Sequence, residues 1–130
     1  MSHAIIWQRI EGGLVFLSAQ ILVFAHLEPG LAWWAMLLVF FGPDLGFLGY
    51  LLGARIGAQI YNLLHLYGTN ALILAIGLVA GLPALAGIGA LLMAHVGFDR
   101  MLGYGLKSPE GFSFTHLGRI GRDKDTAMSA

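Results

Sequence analysis

The sequence predicts an all-α fold: an integral membrane four-helix bundle, its second helix kinked at Pro43, with a short polar tail on the cytoplasmic side. Three observations predict it. Hydrophobic residues make up 58% of the chain and charged residues only 11%, and mean hydropathy is +0.78, a composition that suits lipid better than water. Four apolar segments each approach the roughly 20 residues that a helix needs to cross the hydrocarbon core. The basic residues all fall on one side of those segments, as they do on the cytoplasmic side of membrane proteins. At 130 residues, the chain has room for one domain.

The first segment extends from Gly13 to Leu27, borrows Ile5, Ile6 and Ile10 to reach spanning length, and ends at Glu28-Pro29-Gly30. His3, Arg9 and Glu11 precede it with no small-residue cleavage pattern, so this stretch reads as a retained helix rather than a signal peptide. The second segment, Leu31 to Leu52, is interrupted by Gly42-Pro43-Asp44. Proline removes a backbone donor there and kinks the helix, which is tolerated at membrane depth only against protein or water. After a turn at Gly53, a third segment from Ala54 to Gly81 reads as one long tilted helix, polar in its first half (Arg55, Gln59, Asn62, His65) and apolar in its second. Pro83 suits the first position of a fourth helix, which runs to about Gly105. Residues 1–105 thus form the transmembrane domain, and 106–130 a polar tail with no stretch able to span. No internal repeat is evident. Gly49, Gly53 and Gly57 recur every four residues, a spacing that suits close helix packing within one protomer or along a dimer seam.

Four passes put the N-terminus, the Gly53 turn and the tail on one side. Arg9, Arg55, Arg100, Lys107, Arg119, Arg122 and Lys124 all lie there, which makes both termini cytoplasmic. Trp33 and Trp34 then belong at the far interface and Trp7 at the near one. The formal net charge is zero, so no basic field draws nucleic acid. The absence of cysteine excludes disulfides and thiolate metal sites.

Against this apolar background the ionisable residues stand out. Asp44 lies nine residues before Gly53, Asn62 and His65 nine and twelve after it, and His95 ten before Gly105. At 1.5 Å per residue these four reach a common depth about 15 Å below the cytoplasmic surface. Asp99 projects from the same helix face as His95, one turn nearer that surface. Charged groups in lipid are costly and mark paired or functional positions. Imidazole and carboxylate together are ligands for Zn, Mn or Fe, and helix bundles build such sites from facing helices. Asp44, His65, His95 and Asp99 are therefore candidate metal ligands, with Asn62 and Tyr50 placed to position water or substrate. Lys107 or Arg100 would neutralise an anionic headgroup. Two other uses remain open: a buried hydrogen-bond network in which the aspartates accept from the histidines, Asn62 or tyrosines, and axial ligation of a b-type haem by His65 and His95. His116, on the tail, is a candidate extra ligand or lid residue, or a plain surface histidine.

Pro43-Asp44-Leu45-Gly46, Tyr61-Asn62-x-x-His65-x-Tyr67, Ala94-His95-x-Gly97-Phe98-Asp99-Arg100 and Thr115-His116-Leu117-Gly118 resemble a bacterial family of small integral membrane proteins known as domain of unknown function 4260. The resemblance covers roughly residues 10 to 122 and implies a bacterial inner-membrane protein without implying an activity. Pro43-Asp44 and the His95/Asp99 pair also resemble the outline of YdjM-type membrane-bound metal-dependent hydrolases. That group has a second histidine in its middle segment, where this chain has Ile60.

Two main function classes follow. One is a metal-dependent enzyme acting on a lipid-like substrate at the cytoplasmic leaflet. The other is a non-catalytic accessory subunit of a larger respiratory or photosynthetic assembly, or of a homo-oligomer. A proton or ion path along Asp44, His65 and Asp99 is a third.

Overall fold

A computed structural model describes residues 2–120. The polypeptide is mostly helical. Helix α1 spans His3–Leu22 and continues as a π-helical turn through Val23–Leu27. Helix α2 (Trp33–Phe41) runs directly into a 3-10 helix, Gly42–Leu52. Helices α3 (Ala54–Leu64), α4 (Tyr67–Val79) and α5 (Pro83–Leu102) follow. Three of these units are long and apolar enough to cross a membrane: His3–Leu27, Trp33–Leu52 and Pro83–Leu102. The α3–α4 pair is a fourth only if it counts as a single broken span.

The expectation of one continuous third helix is corrected. The chain bends by 42° between Leu64 and Tyr67, because His65 leaves helical geometry (φ −103°, ψ 17°). The freed carbonyls are capped by side chains: Asn70 Nδ2 donates to Leu64 O at 3.2 Å and Arg100 Nη2 to His65 O at 3.0 Å. These bonds leave neither freed carbonyl without a partner, as buried backbone groups require.

Nor is Pro43 a simple kink. It enters at the first turn of the 3-10 helix, whose 11 residues exceed the three or four usual for that form. Three residues per turn put every third side chain on one face. Pro43, Gly46 and Gly49 are buried against α3. Leu45, Leu48 and Leu51 are exposed on the outside. The third stripe, Asp44, Phe47 and Tyr50, meets His95, Tyr61 and Phe112 in turn. The triplet order Pro-Asp-Leu, Gly-Phe-Leu, Gly-Tyr-Leu is thus an internal period, which a search for longer repeats misses.

Helix α5 is the central element, packed against α1 and α4. α1 crosses it backbone to backbone: a Cβ on Gly12 would lie 2.8 Å from Gly97 O, and one on Gly97 2.7 Å from Gly12 O. An apolar core of Val23, Leu27, Ala86, Ala90 and Leu91 fills the far end. Gly49 and Gly57 pack within the protomer, against Ile60 and Tyr50, while Gly53 (φ +108°) makes the turn.

The polar tail is also corrected. Residues after α5 form a three-stranded antiparallel sheet in the order β1 (Lys107–Ser108), β2 (Gly111–Thr115), β3 (Gly118–Arg119). Ser108-Pro109-Glu110 supplies the first turn, with Ser108 Oγ accepting from Glu110 N at 3.2 Å. In the second, Thr115 Oγ1 donates to Gly118 O at 2.6 Å. The described fold is therefore mostly helical, with a small sheet attached after α5. Arg122 and Lys124, counted above among the basic residues, lie outside the described residues.

Candidate metal centre

The last turns of α5 carry His95 and Asp99 at i and i+4, one above the other on the same face. A Schellman-type end fixes their register: Tyr104 N donates to Asp99 O at 2.8 Å and Gly103 N to Arg100 O at 3.0 Å, with Gly103 in the left-handed region at φ +96°. His65 arrives from the break after α3, and Asp44 from the first turn of the 3-10 helix.

One ligand atom from each of these four residues falls within 4.8 Å of the other three. His65 Nε2 and His95 Nε2 are 3.2 Å apart. Asp99 Oδ2 is 3.4 Å from both nitrogens. Asp44 Oδ1 is 3.3 Å from His95 Nε2 and 3.8 Å from His65 Nε2. The two imidazoles are buried, at 0% and 2% exposure, while the Asp44 side chain is 42% exposed and forms the open side.

The ring nitrogen facing away decides what the facing nitrogen can do. His65 Nδ1 lies 2.8 Å from the Tyr61 carbonyl. A carbonyl only accepts, so Nδ1 carries the proton and Nε2 turns a lone pair toward the cluster. The Tyr61 ring stacks on His65, centroids 3.7 Å apart, and holds its plane. Phe40 packs edge-on against His95 at 5.4 Å. The Phe40 carbonyl approaches that ring as well, yet His95 Nδ1 makes no hydrogen bond of good geometry among the described residues.

The residues expected to assist are each held by neighbours of their own. Asn62 clamps β1: its Oδ1 accepts from Lys107 N at 2.6 Å and its Nδ2 donates to Lys107 O at 2.8 Å. The Lys107 side chain points inward, 4% exposed. Burial pushes its ammonium below the usual lysine range, a shift that Asp99 partly opposes. Tyr50 turns inward with its hydroxyl buried and without a partner among the described residues. Arg100 is 5% exposed and its guanidinium ties α5 to the α3–α4 break. His116 is not a fifth ligand. Its Nδ1 accepts from Leu106 N at 2.8 Å, and burial, aided by the nearby Arg100 charge, lowers its pKa. Sequence reasoning did not anticipate Tyr61, Phe40 and Arg100 as the groups that hold the two imidazoles and the break; the aromatic spacing four residues before His65 is the signal that points to Tyr61.

The model of the domain of unknown function 4260 matches residues 5–120, from the start of α1 to the end of the sheet. The chain belongs to that family. The match takes in the four clustered residues and the hairpin that carries Lys107. No curated protein and no solved structure matches the chain.

Proposed function

We propose that Asp44, His65, His95 and Asp99 hold one divalent metal ion, zinc, manganese or iron, and that this member of the family is a metal-dependent membrane enzyme acting on an amphiphilic substrate. One observation carries the metal: the five measured separations among the four ligand atoms run from 3.2 to 3.8 Å. Ligands about 2.1 Å from a tetrahedral ion stand roughly 3.4 Å from one another. His65 Nε2 and the two carboxylates are acceptors drawn to one place, and two carboxylates neutralise a divalent charge. Two nitrogens this close, with carboxylates on their flanks, leave no slot for a porphyrin plane, which sets haem aside.

Two features support an amphiphile. Asp44, the open ligand, sits beside the outward leucine stripe of the 3-10 helix. On the other side of Phe40 lies a groove of about 470 Å³ between α1, α2 and α5, lined by Phe16, Trp33, Phe41 and Phe98, within the size range of ligand sites. The ion would act as a Lewis acid on a carbonyl or phosphoryl oxygen, while Asp44 and Asp99 hold charge and His65 keeps a fixed tautomer. The bacterial inner membrane, with both termini cytoplasmic, is the proposed location.

Purification in mild detergent followed by metal analysis tests the centre. About one ion per chain is expected, and a molar excess of the metal at 100 times its Kd raises stability by about 2.7 kcal/mol, read as a higher thermal midpoint. His95→Ala removes both the ion and the shift. Stoichiometric metal retained by that variant refutes the assignment.

A further inference from the structure

A lysine on a membrane protein normally extends its stem so that the ammonium reaches water. Lys107 does the opposite. Asn62 grips both backbone groups of the residue and the side chain turns inward, with only 4% of the residue exposed. Its Nζ lies 3.9 Å from the Phe112 ring centroid and 5.2 Å from that of Tyr61, the ring stacked on His65. Among the described residues no hydrogen bond reaches this nitrogen. Asp99, one of the four clustered residues, is the carboxylate whose field bears on it. Tyr50 packs on the same Phe112 ring, edge to face with centroids 5.6 Å apart, and its buried hydroxyl also lacks a partner among the described residues.

Aromatic faces replace only part of an ammonium's hydration, so a buried lysine needs a counter-charge. With a divalent ion in place, the two aspartates are neutralised by it. The Lys107 ammonium, like the buried Arg100 guanidinium near Asp99, is then left without a carboxylate of its own, and Tyr50 offers an unused hydroxyl donor. We propose that Lys107 and Tyr50 form the anion-binding half of the centre, receiving the phosphate oxyanion of an ester whose reacting atoms face the Asp44–Asp99 cluster. This rests on the metal reading above and narrows its substrate to phosphate-bearing amphiphiles or soluble phosphate esters.

Full-length protein loaded with zinc in a neutral detergent is titrated calorimetrically with inorganic phosphate. The unmodified protein binds it, and Lys107→Met weakens binding about tenfold or more, the scale of one charge-assisted hydrogen bond. Tyr50→Phe keeps the ring against Phe112, leaves the thermal midpoint unchanged and weakens phosphate several-fold, so the test survives if Lys107→Met folds poorly. Unaltered phosphate affinity in Tyr50→Phe together with unaltered affinity in Lys107→Met, or no binding by the unmodified protein, overturns the proposal. Metal analysis of the same samples separates the two readings. Lys107-dependent phosphate binding by a protein that takes up no metal refutes the metal centre and upholds the anion site; metal uptake with Lys107-independent binding does the reverse. Phosphatidic acid in mixed micelles competing more strongly than glycerol phosphate assigns the oxyanion to a lipid headgroup, and the opposite order assigns it to a soluble ester. Either order, if Lys107-dependent, supports the site.

Discussion

Asn62 devotes its whole side-chain amide to the backbone of one residue 45 positions away. Replacing it with Ala leaves an N–H and a C=O of Lys107 without partners at a part-buried site, which costs about 1–3 kcal/mol. The expected outcome is a lower thermal midpoint and faster proteolysis of the hairpin, with metal content unchanged. Loss of metal without loss of stability would restore Asn62 to the centre itself. His116 gives a pH signature. Its neutral ring accepts from Leu106 N and its folded pKa is lowered, so the unfolded chain takes up a proton first as pH falls. Stability is therefore fully present above the ordinary histidine value of about 6.5 and declines below it. His116→Asn should flatten the fall in thermal midpoint between pH 7 and pH 5 relative to the unmodified protein, and an unchanged slope would remove His116 from this role. At this scale the convergence of Asp44, His65, His95 and Asp99 was legible, because counting residues back from two glycine turns gives their depth. The partner of Asn62 was not, since Lys107 belonged to a stretch read only as a polar tail outside the helices.

Among the elements, the two departures from expectation have different causes. The sheet had a signal: Gly111-Phe112-Ser113-Phe114-Thr115 alternates in the strand manner and follows a Ser-Pro-Glu-Gly turn, but its short strands carry little weight beside four long apolar runs. The break at His65 had almost none, as no proline or glycine stands between Ala58 and Tyr67. It is a tertiary effect, stabilised by Asn70 from the following helix and Arg100 from α5. For the 3-10 helix, the small-residue stripe makes a sharp prediction. A Cβ on Gly46 would lie 3.1 Å from Tyr61 Cα, so Gly46→Leu forces the segment away from α3 and carries Asp44 with it. Overpacking of this kind costs about 1–3 kcal/mol. Metal affinity should fall although no ligand is altered, and Leu45→Ala, on the outward stripe, should leave it unchanged.

For the whole molecule, the centre is supplied by three elements that are distant in sequence: the 3-10 helix, the α3–α4 break and α5. α1 contributes no ligand; it buttresses α5 at the Gly12–Gly97 crossing and, through Arg9 Nε donating to Met101 O at 2.9 Å, ties its own start to the end of α5. Helices long and apolar enough to cross a membrane were legible from composition, whereas their number turns on whether the bent α3–α4 pair counts as one span. The absence of cysteine makes that measurable, because any introduced thiol is unique. If the pair crosses as one span, thiols at Ser2→Cys and Ala80→Cys are labelled by a membrane-impermeant reagent from opposite faces. Labelling from the same face shows that the pair re-enters instead.

The three stripes of the 3-10 helix also constrain how this segment can change its length. Each stripe is a separate phase of a three-residue cycle, and one added or lost residue advances every later side chain by a third of a turn. With one residue added, the outward leucines would meet α3 and the aromatic stripe would turn outside; with one lost, the small residues would turn outside and the aromatic stripe would meet α3, and in either case Tyr50 would leave Phe112. Length change here should be tolerated only in steps of three, so the stretch from Gly42 to Leu52 carries a reading frame at the level of the folded protein.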